Sequence, residues 1–362
     1  MSTSRSAGTL EWLPNGDYGT RSIPQVDSRE PLWQRPTLAA EVAAGQHWLP
    51  GSVTGARETL VTSALQAQPL HLLVLPGDSW LPLLAGLGTA GFFLLLTVKW
   101  IVLASVFGAA GLAAMLMWLW QTDRGAGPRT AQVADACTLP IGATGLRSHS
   151  WWATLVLVVV DASIFASFLF AHLHVSLLAV VCPPPGARLP ADGSVAGAIA
   201  MSVVSASLIV LVARRQPGAW LMRGKFFFTV LVALAFGLAA AAWGTGWAAH
   251  EAAGLSPRAN AWSATVAALL AWQGFHIAVL ALMALYLVAR RWSGRLVPGQ
   301  RATLDNIVLF WHYTLLQGVL AFAVVQWLRQ VLASCTAATP TWRRASIRPA
   351  ASACAYVPQS RR

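Results

Sequence analysis

Residues 151–181 read WWATLVLVVVDASIFASFLFAHLHVSLLAVV, an apolar run of about thirty residues that carries a single carboxylate, Asp161, near its middle. An α-helix rises about 1.5 Å per residue, so this run is long enough to cross a hydrocarbon core of about 30 Å. Asp161 is then expected roughly 15 Å from the start of the helix, near the bilayer midplane. Because a charge there costs about 2.5–3.5 kcal/mol on insertion scales, we expect Asp161 to face the protein interior and to be protonated or paired.

Six further apolar runs of about twenty residues or more recur along the chain, and 56% of its residues are hydrophobic while only 10% are charged. This composition predicts an all-α polytopic membrane protein with seven transmembrane helices. Only Lys99 and Trp100 separate the first two runs, which favours a tight helical hairpin over one long helix whose lysine reaches the interface. The other six runs are 80–98, 101–120, 195–212, 226–249, 261–289 and 307–331, and the seven are numbered in chain order, so that 151–181 is run three.

The runs divide the chain into five parts. Residues 1–78 are predicted to form an extended polar arm with little helix, because Pro, Gly and Asn are scattered through them. A transmembrane helix pair (79–120) and a five-helix transmembrane bundle (151–333) follow, separated by a cytoplasmic loop (121–150). The strongly basic segment 334–362 shows no helical or strand periodicity and is predicted to be a disordered tail.

The net charge of +12 is explained by membrane topology rather than by nucleic-acid binding. Most arginines lie in short loops beside apolar runs, and cytoplasmic loops carry such an excess of Lys and Arg. The loops between runs four and five and between runs six and seven are the most basic. The N-terminus is therefore predicted to be cytoplasmic and the C-terminus to lie on the outer side.

The histidines and cysteines do not predict a metal site. The four cysteines form no CxxC pair. His174 is expected near the outer end of run three, His276 inside run six and His312 near the inner end of run seven, so no two of them share a depth. Hydrogen-bonded histidines are favoured over ligands for each, and Trp311 suits interfacial anchoring.

One helical face of run three carries aromatic residues beside the carboxylate. Phe165, Phe168 and His172 follow Asp161 at helical spacing, which favours helix packing over a cofactor site. Asp161 has two candidate roles, namely proton exchange and a hydrogen bond to lipid or to a neighbouring helix. We favour the hydrogen bond because a lone carboxylate makes a poor relay, and we expect Asp161→Asn to preserve assembly with a modest loss of proton uptake.

The polar residues of run three form a recognisable pattern. Asp161 is followed by a Phe-rich stretch and then by His174, which resembles helix three of subunit III of haem-copper cytochrome c oxidase, where Glu is the commoner carboxylate. The following CPPPG (182–186) is similar to that family's Trp-Pro-Pro-x-Gly turn, with the tryptophan replaced.

Runs six and seven extend this resemblance. WQGFH (272–276) resembles a family segment with two histidines, of which His276 matches the second while Gln273 replaces the first. FWHYT (310–314) resembles the Trp-His pair that opens the last helix, here Trp311 and His312, although the acid that commonly follows is missing.

The N-terminal segment TLEWLPNGDYGTRSIP (9–24) and the following SREPLW resemble the junction in bacterial oxidases whose subunits I and III are fused. The resemblance implies the subunit III portion of such a fusion, without the catalytic subunit I part. Whether the chain is a functional isolated subunit or a fragment of a fused gene stays open, as does the electron donor, cytochrome c or quinol.

The resemblance implies a function as well as a fold. Subunit III is a non-catalytic component of a proton-pumping oxidase of the respiratory chain, in the bacterial inner membrane with this chain's C-terminus periplasmic. It binds no haem or copper, which belong to partner subunits, and it contacts subunits I and II and phospholipid held between a two-helix and a five-helix group. It stabilises the catalytic subunit and supports proton uptake.

Two other functions stay open at this point. Asp161 is also compatible with the coupling site of a proton-coupled membrane transporter. A haem-b membrane cytochrome would use His276 with His174 or His312. The chain has no GxSxG, HExxH or phosphate-binding glycine loop that would indicate a catalytic centre of its own.

Overall fold

The computed structural model describes most of the chain and is largely helical. It covers Leu10, Leu13 and residues 21–54, 57–75, 77–122, 130–134, 137–142, 148–178, 183–185, 188–214, 224–296 and 302–337. The elements within these ranges are α1 (Pro31–Gln34), α2 (Leu38–Ala43), β1 (Arg57–Thr62), β2 (Pro69–Leu75), α3 (Leu81–Thr97), α4 (Ile101–Thr122), β3 (Thr130–Ala134), β4 (Cys137–Pro140), α5 (His149–Leu178), α6 (Asp192–Arg214), α7 (Lys225–Ala252), α8 (Ala261–Trp292) and α9 (Ala302–Ala337).

Six of these helices are long and apolar enough to cross a membrane, namely α4 to α9. The prediction of a multi-pass, mainly helical membrane protein is therefore confirmed at this level. The first predicted run forms α3, which has 17 residues and is shorter than those six. At about 1.5 Å per residue its length is roughly 25 Å, somewhat less than the hydrocarbon thickness.

The chain divides into two compact units. Unit 1 comprises Met1–Leu157, Arg215–Phe228 and Leu285–Ile307, and unit 2 comprises Val158–Arg214, Thr229–Ala284 and Val308–Arg362. The polar N-terminal segment, α3 and α4 belong to unit 1. Most of the length of α5 to α9 belongs to unit 2.

In unit 1, α3 and α4 form the predicted tight hairpin. The Lys99 and Trp100 amides donate to the carbonyls of Leu96 and Leu95, both at 3.0 Å, which ends α3. Lys99 adopts a left-handed φ of 62°, the conformation that commonly terminates helices. The alternative of one continuous helix is therefore wrong.

Small residues let the two helices of this hairpin approach closely. Gly88 and Gly111 face each other, and a Cβ built on Gly88 would lie only 2.5 Å from the Gly111 Cα. Ala85, Ala104 and Ala114 are buried beside them. Close backbone approach through small side chains is a typical way for transmembrane helices to associate, because water-driven apolar attraction is weak in lipid.

The polar N-terminal segment is more structured than the sequence predicted. Strands β1 and β2 pair antiparallel, and β3 and β4 form a second antiparallel pair in the segment predicted as a loop. The Gly142 amide donates to the Leu72 carbonyl at 2.8 Å, which joins the two hairpins. Neither hairpin was predicted, because PLHLLVL of β2 does not alternate between apolar and polar residues and because β3 and β4 have only five and four residues.

Basic residues of unit 1 lie where helices end. Arg295 follows α8 and donates from Nη1 to the Trp120 carbonyl of α4 at 2.6 Å, with its guanidinium 4.2 Å from the centre of the Trp120 ring. Lys225 at the start of α7 donates to the Trp292 carbonyl at 2.9 Å. These contacts bring the C-terminal end of α4 to the C-terminal end of α8.

In unit 2, buried polar contacts link the helices to one another. Ser205 of α6 donates to the Ala235 carbonyl of α7 at 2.6 Å, and Trp243 of α7 donates to the Leu270 carbonyl of α8 at 2.8 Å. Gln326 of α9 donates to Asp192 at the start of α6 at 2.7 Å. Such bonds are stable within a bilayer because no water competes for the donors.

The α3–α4 hairpin yields a prediction about its glycines. Gly88→Ala should lower the free energy of unfolding by about 1–3 kcal/mol, because the new methyl group meets the Gly111 backbone rather than a mobile side chain. Titration of the purified chain with dodecyl sulfate, followed by circular dichroism, measures the change. Gly86→Ala is the matched control, since a Cβ on Gly86 meets nothing within 4 Å. Equal stability of the two variants would show that the helices do not pack through Gly88.

Candidate functional site

Asp161 lies in unit 2 on α5 and contacts side chains from two other helices. Its side chain is 18% exposed, and its Oδ2 oxygen accepts hydrogen bonds from the Tyr313 hydroxyl at 2.5 Å and from Gln317 Nε2 at 3.0 Å. The third neighbour of the same oxygen is His276 Nε2, at 3.0 Å. Within the described part of the chain, no donor was found for Oδ1. Asp161, which the sequence predicted to be protonated or paired, thus has three side-chain partners in the structure.

Helix α9 supplies two of the partners from one face. Tyr313 and Gln317 are one helical turn apart, and Gln317 Nε2 donates to the Tyr313 hydroxyl oxygen at 2.6 Å. Because that oxygen accepts from Gln317, its proton is free to be donated to Asp161. Neither residue was singled out by sequence analysis. Their spacing of four within an apolar helix was the available signal.

Helix α8 supplies the third partner. His276 Nδ1 lies 2.9 Å from the Trp272 carbonyl oxygen, which can only accept, so Nδ1 carries a proton. The ring is 2% exposed and stacks on Phe310 with 5.7 Å between ring centres and an interplanar angle of 20°. The backbone bond and the stacking fix the ring plane, so Nε2 is directed at Asp161.

A second polar contact joins the same two helices. On α5 and α8, His172 Nδ1 lies 3.0 Å from Thr265 Oγ1. His172 is as many residues after Asp161 as Thr265 is before His276, so the two contacts are equally spaced along the two helices. Thr265 donates its own proton to the Trp262 carbonyl, so it accepts from His172. His172 Nε2 then accepts from Ser176 Oγ at 3.4 Å. His172 is therefore a neutral histidine with both nitrogens bonded.

The aromatic face of α5 packs as the sequence indicated. Phe165 is buried, and the Phe168 ring centre lies 5.2 Å from that of Trp272 on α8. These rings fill the space along the helix pair between the Asp161 contact and the His172 contact. They serve packing, which was the favoured interpretation.

Gln273 is buried between α8 and α9 but does not contact Asp161. Its Nε2 donates to the Thr314 carbonyl at 2.9 Å, where Gly318 leaves room for the amide. A Cβ on Gly318 would lie 2.7 Å from that nitrogen. Gln273 therefore bonds the two helices one turn away from the carboxylate.

Trp311 occupies a different environment from the one predicted. It is fully buried, and its indole Nε1 donates to Ser205 Oγ on α6 at 3.0 Å. The prediction of an interfacial anchor is wrong for this residue. A tryptophan beside a helix end resembles an anchor in sequence, but here the indole N–H has a partner on a neighbouring helix.

The remaining predicted residues lie away from the carboxylate. His174 is exposed and stacks on Phe170, with 6.0 Å between ring centres. His312 is exposed and donates from Nδ1 to the Val308 carbonyl at 2.7 Å. The structure therefore joins Asp161 with His276 alone among the residues singled out by sequence. Cys182 and Gly186 of the CPPPG motif lie outside the described residues.

Metal ions are commonly bound by several His, Cys, Asp or Glu side chains that lie close together. Within the described part of the chain, no group of three or more such side chains converges. Both nitrogens of His276 are engaged, one by the Trp272 carbonyl and one by Asp161. The contacts therefore give the haem-b alternative no support.

No protein-family model matches this chain, and no curated protein matches it.

The convergence on one oxygen changes the expected effect of Asp161→Asn. If the amide oxygen of the new side chain takes the Oδ2 position, it can accept from Tyr313 and Gln317 but cannot donate to a neutral His276. If the amide nitrogen takes that position, it can donate to His276, but its N–H groups then face the donors of Tyr313 and Gln317. We therefore expect the free energy of unfolding to fall by about 1–3 kcal/mol, the usual cost of an unsatisfied buried polar group.

Dodecyl sulfate titration followed by circular dichroism measures this loss. Ser163→Ala is the matched control on the same helix, because the exposed Ser163 bonds only to the Val160 carbonyl of its own helix. Asp161→Asn with wild-type stability would show that the three contacts are not formed together.

Proposed function

We propose that this chain is a non-catalytic, subunit III-like component of a proton-pumping terminal oxidase, most specifically a cytochrome c oxidase of aerobic respiration. One observation carries the proposal. Asp161 and His276 were singled out by resemblance to that family, on separate helices and far apart in sequence, and their side chains meet at 3.0 Å. A chance resemblance of motifs gives no reason for such a contact.

The proposed arrangement has seven transmembrane helices in a group of two and a group of five. Support for the pair comes from the glycine-lined packing of α3 and α4, in which α3 is the short seventh span. Support for the group of five comes from the hydrogen bonds that link α5 to α9 within unit 2. An uneven division of this kind fits the resemblance and gives no indication of the two similar halves typical of many transporters.

The proposed orientation places the N-terminus in the cytoplasm and the C-terminus in the periplasm of the bacterial inner membrane. Its support is the basic character of the helix ends that carry Lys225, Arg290, Arg291 and Arg295. The contact of Arg295 with the Trp120 carbonyl brings the end of α4 to the same level as these residues. That proximity agrees with α3 and α4 crossing the membrane as a pair.

The proposed role is stabilisation of the catalytic subunit and support of proton uptake, with haem and copper held by subunits I and II and with phospholipid as a further partner. Polar side chains described in unit 2 bond to other side chains or to the backbone of a neighbouring helix, which suits an accessory subunit. Many apolar side chains of α3, α4 and α5 are exposed, which provides surface for lipid and for partner helices.

Affinity capture of the tagged chain from its native membrane tests this function. The captured material should contain further polypeptides, show the Soret absorbance of haem and consume oxygen with reduced cytochrome c or a quinol. The chain expressed alone should show no Soret band. Capture of the chain without any haem-containing partner would contradict the proposal.

The proton-coupled transporter is the second candidate, because a carboxylate next to a histidine inside the membrane is also suited to proton coupling. The chain alone, reconstituted in vesicles with an imposed proton gradient, separates the two functions. An accessory subunit should leave the gradient unchanged, whereas a transporter would dissipate it when its substrate is present. Substrate-dependent proton movement would favour the transporter over the oxidase subunit.

A further inference from the structure

The buried cluster around Asp161 raises the question of which atom carries its exchangeable proton. The site consists of Asp161, His276, Tyr313 and Gln317, all in unit 2. His276 already donates from Nδ1 to the Trp272 carbonyl. Its Nε2 therefore either holds a second proton, which makes the ring an imidazolium, or exposes a lone pair toward Asp161.

A bare lone pair on Nε2 is compatible with the 3.0 Å contact only if Asp161 is itself protonated on Oδ2. At that distance a lone pair on Oδ2 and a lone pair on Nε2 would repel each other if no proton lay between them. One proton must therefore lie between Nε2 and Oδ2. The pair as a whole is neutral in either form, and the two forms differ in which residue the proton belongs to.

The other contacts of Oδ2 distinguish the two forms. The Tyr313 hydroxyl and the Gln317 amide both donate to this same oxygen. A carboxylate oxygen accepts several hydrogen bonds readily, whereas the hydroxyl oxygen of a carboxylic acid that is donating its own proton is a weaker acceptor. Two donors are therefore directed at this oxygen apart from His276, which is the environment of a carboxylate.

We propose that the cluster is a proton-binding site inside the membrane whose proton is held on His276 Nε2, so that His276 and Asp161 form an ion pair. Tyr313 and Gln317 are positioning residues that keep the carboxylate ionised and directed at the imidazolium. An ion pair removed from water is stable only when further hydrogen bonds satisfy its charges, and these two residues supply them.

Among the side chains of α5, α8 and α9 that the structure describes, no other charged group is found in contact with this pair. The remaining Arg, Lys, Asp and Glu residues of α5, α8 and α9 are Arg290, Arg291, Asp305 and Arg329, and they lie toward the ends of those helices. Loss of the proton would leave a net negative charge between α5, α8 and α9, and a second proton would leave a net positive one. Both changes are costly in hydrocarbon, so the site is suited to hold a single proton.

This inference refines the role of Asp161 in the proposed function, in which the subunit supports proton uptake, but its test requires only the isolated chain. Nitrogen NMR of the chain labelled with [15N]histidine in lipid nanodiscs reports the protonation of each imidazole. At about pH 8 a solvent-exposed histidine is neutral, since its ordinary pKa is about 6.5. Under these conditions His276 should give an imidazolium signal.

His172 is the matched internal control. It is buried on the same helix pair, but its Nε2 accepts from Ser176 and its Nδ1 donates to Thr265, so it should give the signals of a neutral ring. The variants His276→Gln and His172→Gln assign the two signals by their disappearance. Two neutral rings in the wild-type chain would overturn the proposal.

Infrared spectroscopy gives an independent answer on the wild-type chain, in case the variants fail to fold. At about pH 8 exposed Asp and Glu residues are ionised, so a carboxylic acid C=O band that shifts on [13C]aspartate labelling would place the proton on Asp161 and refute the proposal. The expected result is no such band. Tyr313→Phe should strengthen the neutral form, with an increase in the acid band and a fall in the imidazolium signal, whereas Ser163→Ala should change neither.

The result is separable from the outcome of the capture experiment. If His276 gives an imidazolium signal but the tagged chain captures no oxidase, the proton site is supported and the oxidase function is contradicted. A neutral pair in a chain that does capture an oxidase would do the reverse.

Discussion

The arrangement of helices in unit 2 depends on the need to satisfy one carboxylate inside an apolar helix. Asp161 cannot bond to the backbone of its own helix, whose amides are already used, and lipid offers it no donors. Tyr313 and Gln317 on α9 donate to its Oδ2 oxygen, and His276 Nε2 on α8 lies 3.0 Å from the same oxygen. Because a displacement of any of the three helices would break one of these bonds, the carboxylate fixes their mutual register.

Further polar contacts extend this register without forming a single chain. His172 and Thr265 bond the same pair of helices, α5 and α8, at a second point. Trp311 bonds to Ser205, which in turn bonds to the Ala235 carbonyl, so that α9, α6 and α7 are joined in sequence. The α3–α4 hairpin of unit 1 is held differently, because its closest contact is between two glycines and involves no polar side chain. The chain thus uses both of the usual means by which helices associate in membranes.

The sequence was sufficient to predict features that depend on one continuous segment of the chain, and insufficient for contacts between segments far apart in sequence. The apolar runs, the hairpin at Lys99 and the packing role of Phe165 and Phe168 follow from length, charge and periodicity, and the structure agrees with them. The partner of Asp161 could not be predicted, since His276 was judged by its depth relative to other histidines, and the register of one helix against another is not encoded in either helix alone.

Tyr313 and Gln317 illustrate a signal that was present but unused. Both are polar residues on one face of an otherwise apolar helix, and polar groups inside a membrane require partners. Matching such pairs to the one acid of the apolar runs would have suggested the contact. Trp311 shows the opposite error, because a tryptophan at a run end was assigned to the interface when its indole bonds to Ser205. The β1–β2 hairpin was missed since β2 lacks regular alternation, and the β3–β4 hairpin was missed since its strands have only five and four residues.

The geometry also bears on whether Asp161 takes part in proton transfer across the membrane or only in holding the helices. On the face of α5 that leads from Asp161 toward His172 lie Phe165 and Phe168, and Trp272 packs against them from α8. None of these side chains can accept a proton, since the phenyl rings have no polar atom and the indole is a donor only. The aromatic side chains described between the two histidines therefore supply no group that accepts a proton along this helix pair.

Storage of a proton and attachment of helices do not compete at this site. If the proton rests on His276, the same ion pair that holds the proton also joins α5 to α8. Tyr313 and Gln317 contribute both to proton binding and to helix attachment, because they stabilise the carboxylate. Removal of the carboxylate charge alone, as in Asp161→Asn, then disturbs the protonation of His276 and the packing of three helices together. Under the proposed function, Asp161 would in this way affect proton uptake without lying on a continuous proton pathway.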